Sequence, residues 1–223
     1  MDITRQIQTV LILALPVLFA ITVPAVIRGR VAAHFGDHTA AAMGRLTLNP
    51  IKHIDPIGTL LIPIVLYFAT SGALLFGYAK PIPFDPDNLR NPKRDLIWVS
   101  LSAPTANFVM ALAWAVFFVV LRATDISEPF FVQMAQGGVL VNLVMWAFNL
   151  FPLPPLDGGR ILAGLLPDGP VQTFFARIEP YGFFIVMALV LTGILRTFWL
   201  NPLMTAGSEI IKIFLIPLSA SLL

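Results

Sequence analysis

Asp157 is the carboxylate in this chain best placed to do chemistry. It follows Asn149-Leu150-Phe151-Pro152-Leu153-Pro154-Pro155-Leu156 and precedes Gly158-Gly159-Arg160. A lone acid therefore stands behind a proline-stiffened turn at the end of a long apolar run. An ionisable group at membrane depth is costly enough to mark a functional site by default. A hydrolytic zinc site would need two further protein ligands and a fourth position left open for water. The other candidate donors are few: three histidines, His34, His38 and His53, and no cysteine, which excludes thiolate sites and disulfides. His34 and His38 are four residues apart, the spacing that puts two side chains on one helix face. Gly36 falls between them and the segment reads as a turn. Solvated or interfacial histidines are the favoured reading, with a weak metal site remote from Asp157 as the alternative. His53, followed by Ile54-Asp55-Pro56, reads as a cap or turn contact rather than a ligand.

The elements that must position these groups are membrane segments. Of the 223 residues 57% are hydrophobic and only 12% charged, with a mean hydropathy of +0.85, so the chain reads as a polytopic membrane protein with one membrane domain over residues 1–223. A net charge of +2, with no aromatic-basic patch, gives no argument for a nucleic-acid partner. Residues 7–27 form an apolar run of about 31 Å at ~1.5 Å per residue, enough to cross a bilayer. They are too long for the roughly 7–15-residue core of a signal peptide. Further spans are expected at 96–121, 130–150 and 181–195. Residues 203–218 carry Glu209 and Lys212, so they either span or lie in the interface. Residues 57–79 are interrupted by Pro63 and Ser71-Gly72 and read as crossing or re-entrant. The prolines of Lys80-Pro81-Ile82-Pro83-Phe84 push their neighbours into an extended segment.

Basic residues in the loops set the orientation. If 57–79 crosses, Arg5, Lys80, Arg90, Lys93, Arg94, Arg160 and Arg177 share one side, against Arg28, Arg30, Arg45, Lys52, Arg122 and Arg196 on the other; seven against six decides nothing. If it dips in and returns, the count is ten against three. Re-entry is therefore favoured, with the N-terminus outside and the extended segment at the cytoplasmic face.

Several segments together resemble the site-2 protease family of intramembrane zinc metalloproteases, in its short bacterial form. Leu156-Asp157-Gly158 is similar to that family's second signature. Gly44-Arg45-Leu46-Thr47-Leu48-Asn49-Pro50, His53-Ile54-Asp55-Pro56-Ile57-Gly58-Thr59, Asn91-Pro92-Lys93-Arg94-Asp95 and Ser102-Ala103-Pro104-Thr105-Ala106-Asn107 look like its intervening blocks. The resemblance implies an all-α bundle of four to six membrane segments in a bacterial inner membrane. It also implies zinc as cofactor, Asp157 as the third metal ligand, and transmembrane helices or partner membrane proteins as the molecules handled. In that family the other two ligands and the general base come from His-Glu-x-x-His on the first helix. This chain has Pro24-Ala25-Val26-Ile27-Arg28 there. Pro24 and Arg28 occupy the ligand positions and Ala25 the base position.

None of the three can do the job. Proline and alanine side chains have no donor atom, and arginine is a permanent cation that repels a metal. The expectation is a family member that keeps the groove for a transmembrane helix, binds no zinc and is catalytically impaired. The alternatives are a pseudoprotease that binds such helices or modulates an active relative and, in another class, a transporter or channel. Asn107 and Asn149 are either interhelical hydrogen-bonding groups, worth on average ~0.6 kcal/mol in a membrane, or clamps on an unwound substrate strand, as the resemblance implies. Two structural expectations follow. Pro24 should kink or locally open its helix, because it removes the bond to the Ala20 carbonyl. Arg28 should pair with Asp157, the alternative being that it snorkels toward the interface beside Arg30.

Overall fold

The computed structural model describes residues 3–61, 65, 80, 82–167 and 169–222. Among the described residues seven α-helices follow in order: α1 (Ile3–His34), α2 (Thr39–Ala42), α3 (Pro92–Ala123), α4 (Pro129–Asn149), α5 (Asp157–Leu165), α6 (Pro170–Leu191) and α7 (Asn201–Leu222). No strand occurs among the described residues, and the protein is an all-α membrane bundle. Among the described residues four helices, Gln8–His34, Pro92–Ala123, Pro129–Asn149 and Pro170–Leu191, are long and apolar enough to cross a membrane. Most of residues 57–79, including Pro63 and the Ser71-Gly72 step, lie outside the described residues; a π-helical turn covers Pro56–Leu61. Beyond them Lys80 and residues 82–85 are non-helical, with Asp85 in an extended conformation.

The centre of the bundle is α1, α3 and α4 packed against one another. Lipid tails are as apolar as leucine, so association within a membrane rests on close packing, and small side chains permit it. The buried faces show this composition: Ala20 and Ala32 on α1, Ala103, Ala106, Ala111 and Ala115 on α3, and Ala135 and Ala147 on α4. Gly138 of α4 lets the helix seat directly on the Trp114 ring, which a Cβ there would strike. Helix α5 lies on α3, and α7 packs on both α3 and α4.

A polar clasp ties the turn after α1 to the segment before α3. Asp37, fully buried in the turn after α1, accepts hydrogen bonds from the Thr39 amide (3.1 Å) and hydroxyl, the Asp85 amide (3.1 Å) and Asn88 Nδ2 (3.3 Å). Burial alone would raise the Asp37 pKa, but the donors from Thr39, Asp85 and Asn88 outweigh it and hold it below the usual carboxylate value. Arg90 N–H donates to the Phe35 carbonyl at 3.0 Å. His53 Nε2 lies 2.7 Å from the Thr47 carbonyl, and the His53 carbonyl accepts from Lys80 N–H at 2.9 Å. His53 is thus a loop anchor, in line with the turn contact its sequence context suggests.

Candidate functional site

Positions 24, 25 and 28 occupy the inner half of α1. Pro24 is buried and Ala25 and Arg28 half-buried, whereas Arg30 faces out. The helix runs through Pro24 without interruption, so it does not open there. The Ala20 carbonyl, left without its i+4 partner by Pro24, instead accepts a hydrogen bond from Asn107 Nδ2 of α3 at 3.1 Å. The same Nδ2 donates to Asn142 Oδ1 of α4 at 3.2 Å, and Asn142 Nδ2 donates to the Gly138 carbonyl at 2.9 Å. A proline inside a membrane helix is tolerated where neighbouring helices supply the partner for the carbonyl it frees. Here a buried relay of two asparagines does so and joins all three central helices. Both donor contacts of Asn107 are spent inside the bundle, and its Oδ1 is buried without a partner among the described residues. Asn149 is the half-buried last residue of α4, one turn before the proline segment.

Asp157 opens α5 and is 3% exposed. Its turn is folded back tightly on itself: a Cβ at Gly158 would collide with the Leu150 carbonyl, and one at Gly182 of α6 with the Pro154 carbonyl. The Pro154–Pro155 peptide is cis. The position at the first turn of a helix favours a negative charge, since the unpaired N–H groups there carry partial positive charge. Across from it Arg28 Nη2 donates directly to Asp157 Oδ2. The pair expected from the sequence is formed, and snorkelling beside Arg30 is not what Arg28 does. Arg28 Nε is buried with no partner among the described residues.

A cavity of about 380 Å³ adjoins the pair, walled by α3, α5, α6 and the non-helical segment at Ile82 and Phe84. Arg160 and Glu179 stand at its polar end, 3.8 Å apart and partly exposed, a contact of a kind worth at most about 1 kcal/mol. Helix α6 turns one face to the cavity, Gln172, Phe175, Ala176 and Glu179, at the i, i+3, i+4, i+7 spacing of a single helix stripe.

This arrangement does not fit a hydrolytic zinc. Of the side chains at positions 24, 25, 28 and 157, only Asp157 has a donor atom for a metal, and it is already engaged by a guanidinium. Arginine has no free lone pair to take a proton from water. No group of three or more His, Asp or Glu side chains able to hold a metal occurs among the described residues. His34 and His38 are separated by the Gly36 turn (φ 117°), and the His34 ring packs edge-on to Phe35. Neither Asn142 nor Asp37 is marked as a site or clasp residue by the sequence alone. For Asn142 the available signal was a lone amide on an apolar helix.

Comparison with known proteins settles the family. The model for "Peptidase family M50" matches residues 122–193. Over 208 residues the chain is 36% identical to the protein named "Putative zinc metalloprotease YwhC" from Bacillus subtilis, covering 91% of this chain and 90% of that one. The chain belongs to peptidase family M50. It is also 32% identical over 170 residues to "Putative zinc metalloprotease Rip2" of Mycolicibacterium smegmatis, covering 74% of this chain and 61% of that one. The Mycobacterium tuberculosis protein of the same name gives 32% over 164 residues, 72% of this chain and 58% of the relative. The chain thus spans less than two thirds of the Rip2 proteins. No solved structure matches. In this M50 member Asp157 is buried, and the first-helix positions to which the sequence resemblance assigns the other two ligands and the base carry Pro24, Arg28 and Ala25. Zinc is the metal expected for the family, and membership makes the protein a multi-pass one set in a lipid bilayer.

Proposed function

We propose that this M50 member is a pseudoprotease: a single membrane domain that keeps the bundle and cavity of an intramembrane metalloprotease without its zinc-water centre. The observation that carries this reading is the Arg28–Asp157 contact. A guanidinium supplies the positive charge that a metal would otherwise supply to that carboxylate, so the buried acid is neutralised by a group unable to activate water. Removing a general base alone typically lowers rates by ~10²–10⁴, and here two ligand positions have changed as well. What is retained is a membrane-embedded cavity beside a non-helical segment. Its proposed role is to hold transmembrane helices of other proteins, or to modulate an active relative, in the inner membrane of a bacterium. The N-terminus would lie outside and the clasp around Asp37 in the cytoplasm.

The test is reconstitution of the purified protein into liposomes with a single-span substrate of an active M50 relative, beside the variant Pro24→His/Ala25→Glu/Arg28→His. The wild type should bind the substrate without cutting it. Cleavage by the wild type at a rate within tenfold of the restored variant, abolished by Asp157→Ala, would overturn the proposal.

A further inference from the structure

Glu209 and Lys212 lie at the middle of α7. They form an i, i+3 ion pair at 2.7 Å, and 58% and 67% of the two side chains are exposed. Depth makes this notable. Between them, Ile211 is buried in a cluster with Ala111 and Ala115 of α3 and Leu143 of α4, against which Val139 also packs. Val139 is the middle residue of α4, and Ala111 is about one turn from the middle of α3. The centre of α7 therefore stands level with the centres of two helices that are apolar and long enough to cross the membrane. A charged pair on the outer face there is surrounded by hydrocarbon if nothing covers it, and such groups in membrane segments almost always face protein or water. Neither side chain is long enough to reach an interface from that depth.

The two faces of α7 are distinct. Met204, Gly207, Ile211 and Leu215 turn inward, with Gly207 seated on the Trp146 ring. The outward side also exposes Ile210, Phe214 and Ile216, and within it Thr205, Ala206, Glu209, Lys212 and Ile213 are all exposed. Their 3–4 spacing makes one continuous stripe down the helix, the repeat by which two parallel helices pack at a shallow angle. Small residues at its upper end allow close approach. The stripe's chemistry selects its occupant. It carries one acid and one base a single turn apart, so it is complementary to itself.

We propose that this face of α7 docks on the same face of a second copy of the chain, forming a two-fold dimer in the membrane. With the two-fold axis along the bundle, each Glu209 meets the partner's Lys212 as well as its own, and four alternating charges are enclosed together. An interface of this kind presents the same patch from both subunits. It lies on the outward face of α7, apart from the residues lining the Arg28–Asp157 cavity, and does not depend on whether that cavity hydrolyses anything.

The chain has no cysteine, so a single introduced thiol reports this contact directly. In liposomes of purified protein, Ala206→Cys should form disulfide-linked dimers under mild oxidation, and Met204→Cys on the inward face should not. Adding Glu209→Lys to the Ala206→Cys chain should lower cross-linking by at least about tenfold, and Lys212→Glu likewise, because each variant places only like charges at the interface. Mixing the two variants in one membrane should restore cross-linking, between one chain carrying two bases and one carrying two acids. That recovery also shows that both variants fold. Equal cross-linking of Ala206→Cys and Met204→Cys would overturn the proposal, and so would single-charge variants that link as well as the parent. Failure of the mixture to recover, or a stripe covered by lipid or by a different protein with no self-linking, would overturn it too.

Discussion

Arg28→Leu removes the guanidinium from a carboxylate that is 3% exposed. Breaking a buried ion pair by deleting one partner costs about 3–5 kcal/mol, because the surviving charge stays buried and uncompensated. A quarter of the Arg28 side chain reaches solvent, so the lower end, about 3 kcal/mol, applies. For a chain of this length that corresponds to a fall in Tm of roughly 6–12 °C. Asp157→Asn alone is milder, since the freed arginine can extend along the helix toward the interface. The double variant Arg28→Leu/Asp157→Asn removes both charges and should recover most of the loss, giving a coupling of about 2–3 kcal/mol. Thermal unfolding in nanodiscs at neutral pH measures all four proteins. Arg28→Leu within about 0.5 kcal/mol of wild type, or a double variant whose loss is the plain sum of the singles, would refute the reasoning.

Three further outcomes are expected. Asn107→Leu strips the partner from the Ala20 carbonyl that Pro24 has freed and should cost about 1–3 kcal/mol; in a Pro24→Ala background, where the helix supplies its own donor, the cost should be smaller, and an equal cost in both would count against the relay. Asp37 has a pKa lowered on folding, so its contribution is fully present above the unfolded value of about 3.9 and is lost as pH falls through the folded value; a stability profile below about pH 4 that is as steep in Asp37→Asn as in wild type would contradict this. Gly182→Ala drives a Cβ into the Pro154 carbonyl and should destabilise by about 1–3 kcal/mol as α6 is pushed off its turn, which an unchanged melting temperature would disprove.

Much of this organisation is legible in the residues, and the exceptions have physical causes. The apolar runs announce the bundle because a bilayer demands length and hydrophobicity of any helix that crosses it. The Arg28–Asp157 pair follows from the two positions converging in the family fold and from the cost of a lone buried acid. The outcome at Pro24 was harder to read. Proline chemistry predicts the lost hydrogen bond but not its repair, which depends on Asn107 facing Ala20 across α1 and α3. Spacing within one helix carries no information about that contact. The Asp37 clasp was hidden for the same reason: its donors at Thr39, Asp85 and Asn88 span some fifty positions and meet only once the loops are folded. Helix α6 begins at Pro170, well before its apolar run, because Gln172, Arg177 and Glu179 form helix as readily as the residues after them and hydropathy alone does not see them.

The central claim, that Arg28 stands where a metal would be needed, is tested most directly by zinc stoichiometry. Protein purified without chelators, equilibrated with zinc and freed of excess metal should retain far less than one zinc per chain, and Asp157→Ala should leave that residue of metal unchanged. About one zinc per chain, lost on Asp157→Ala, would contradict the account.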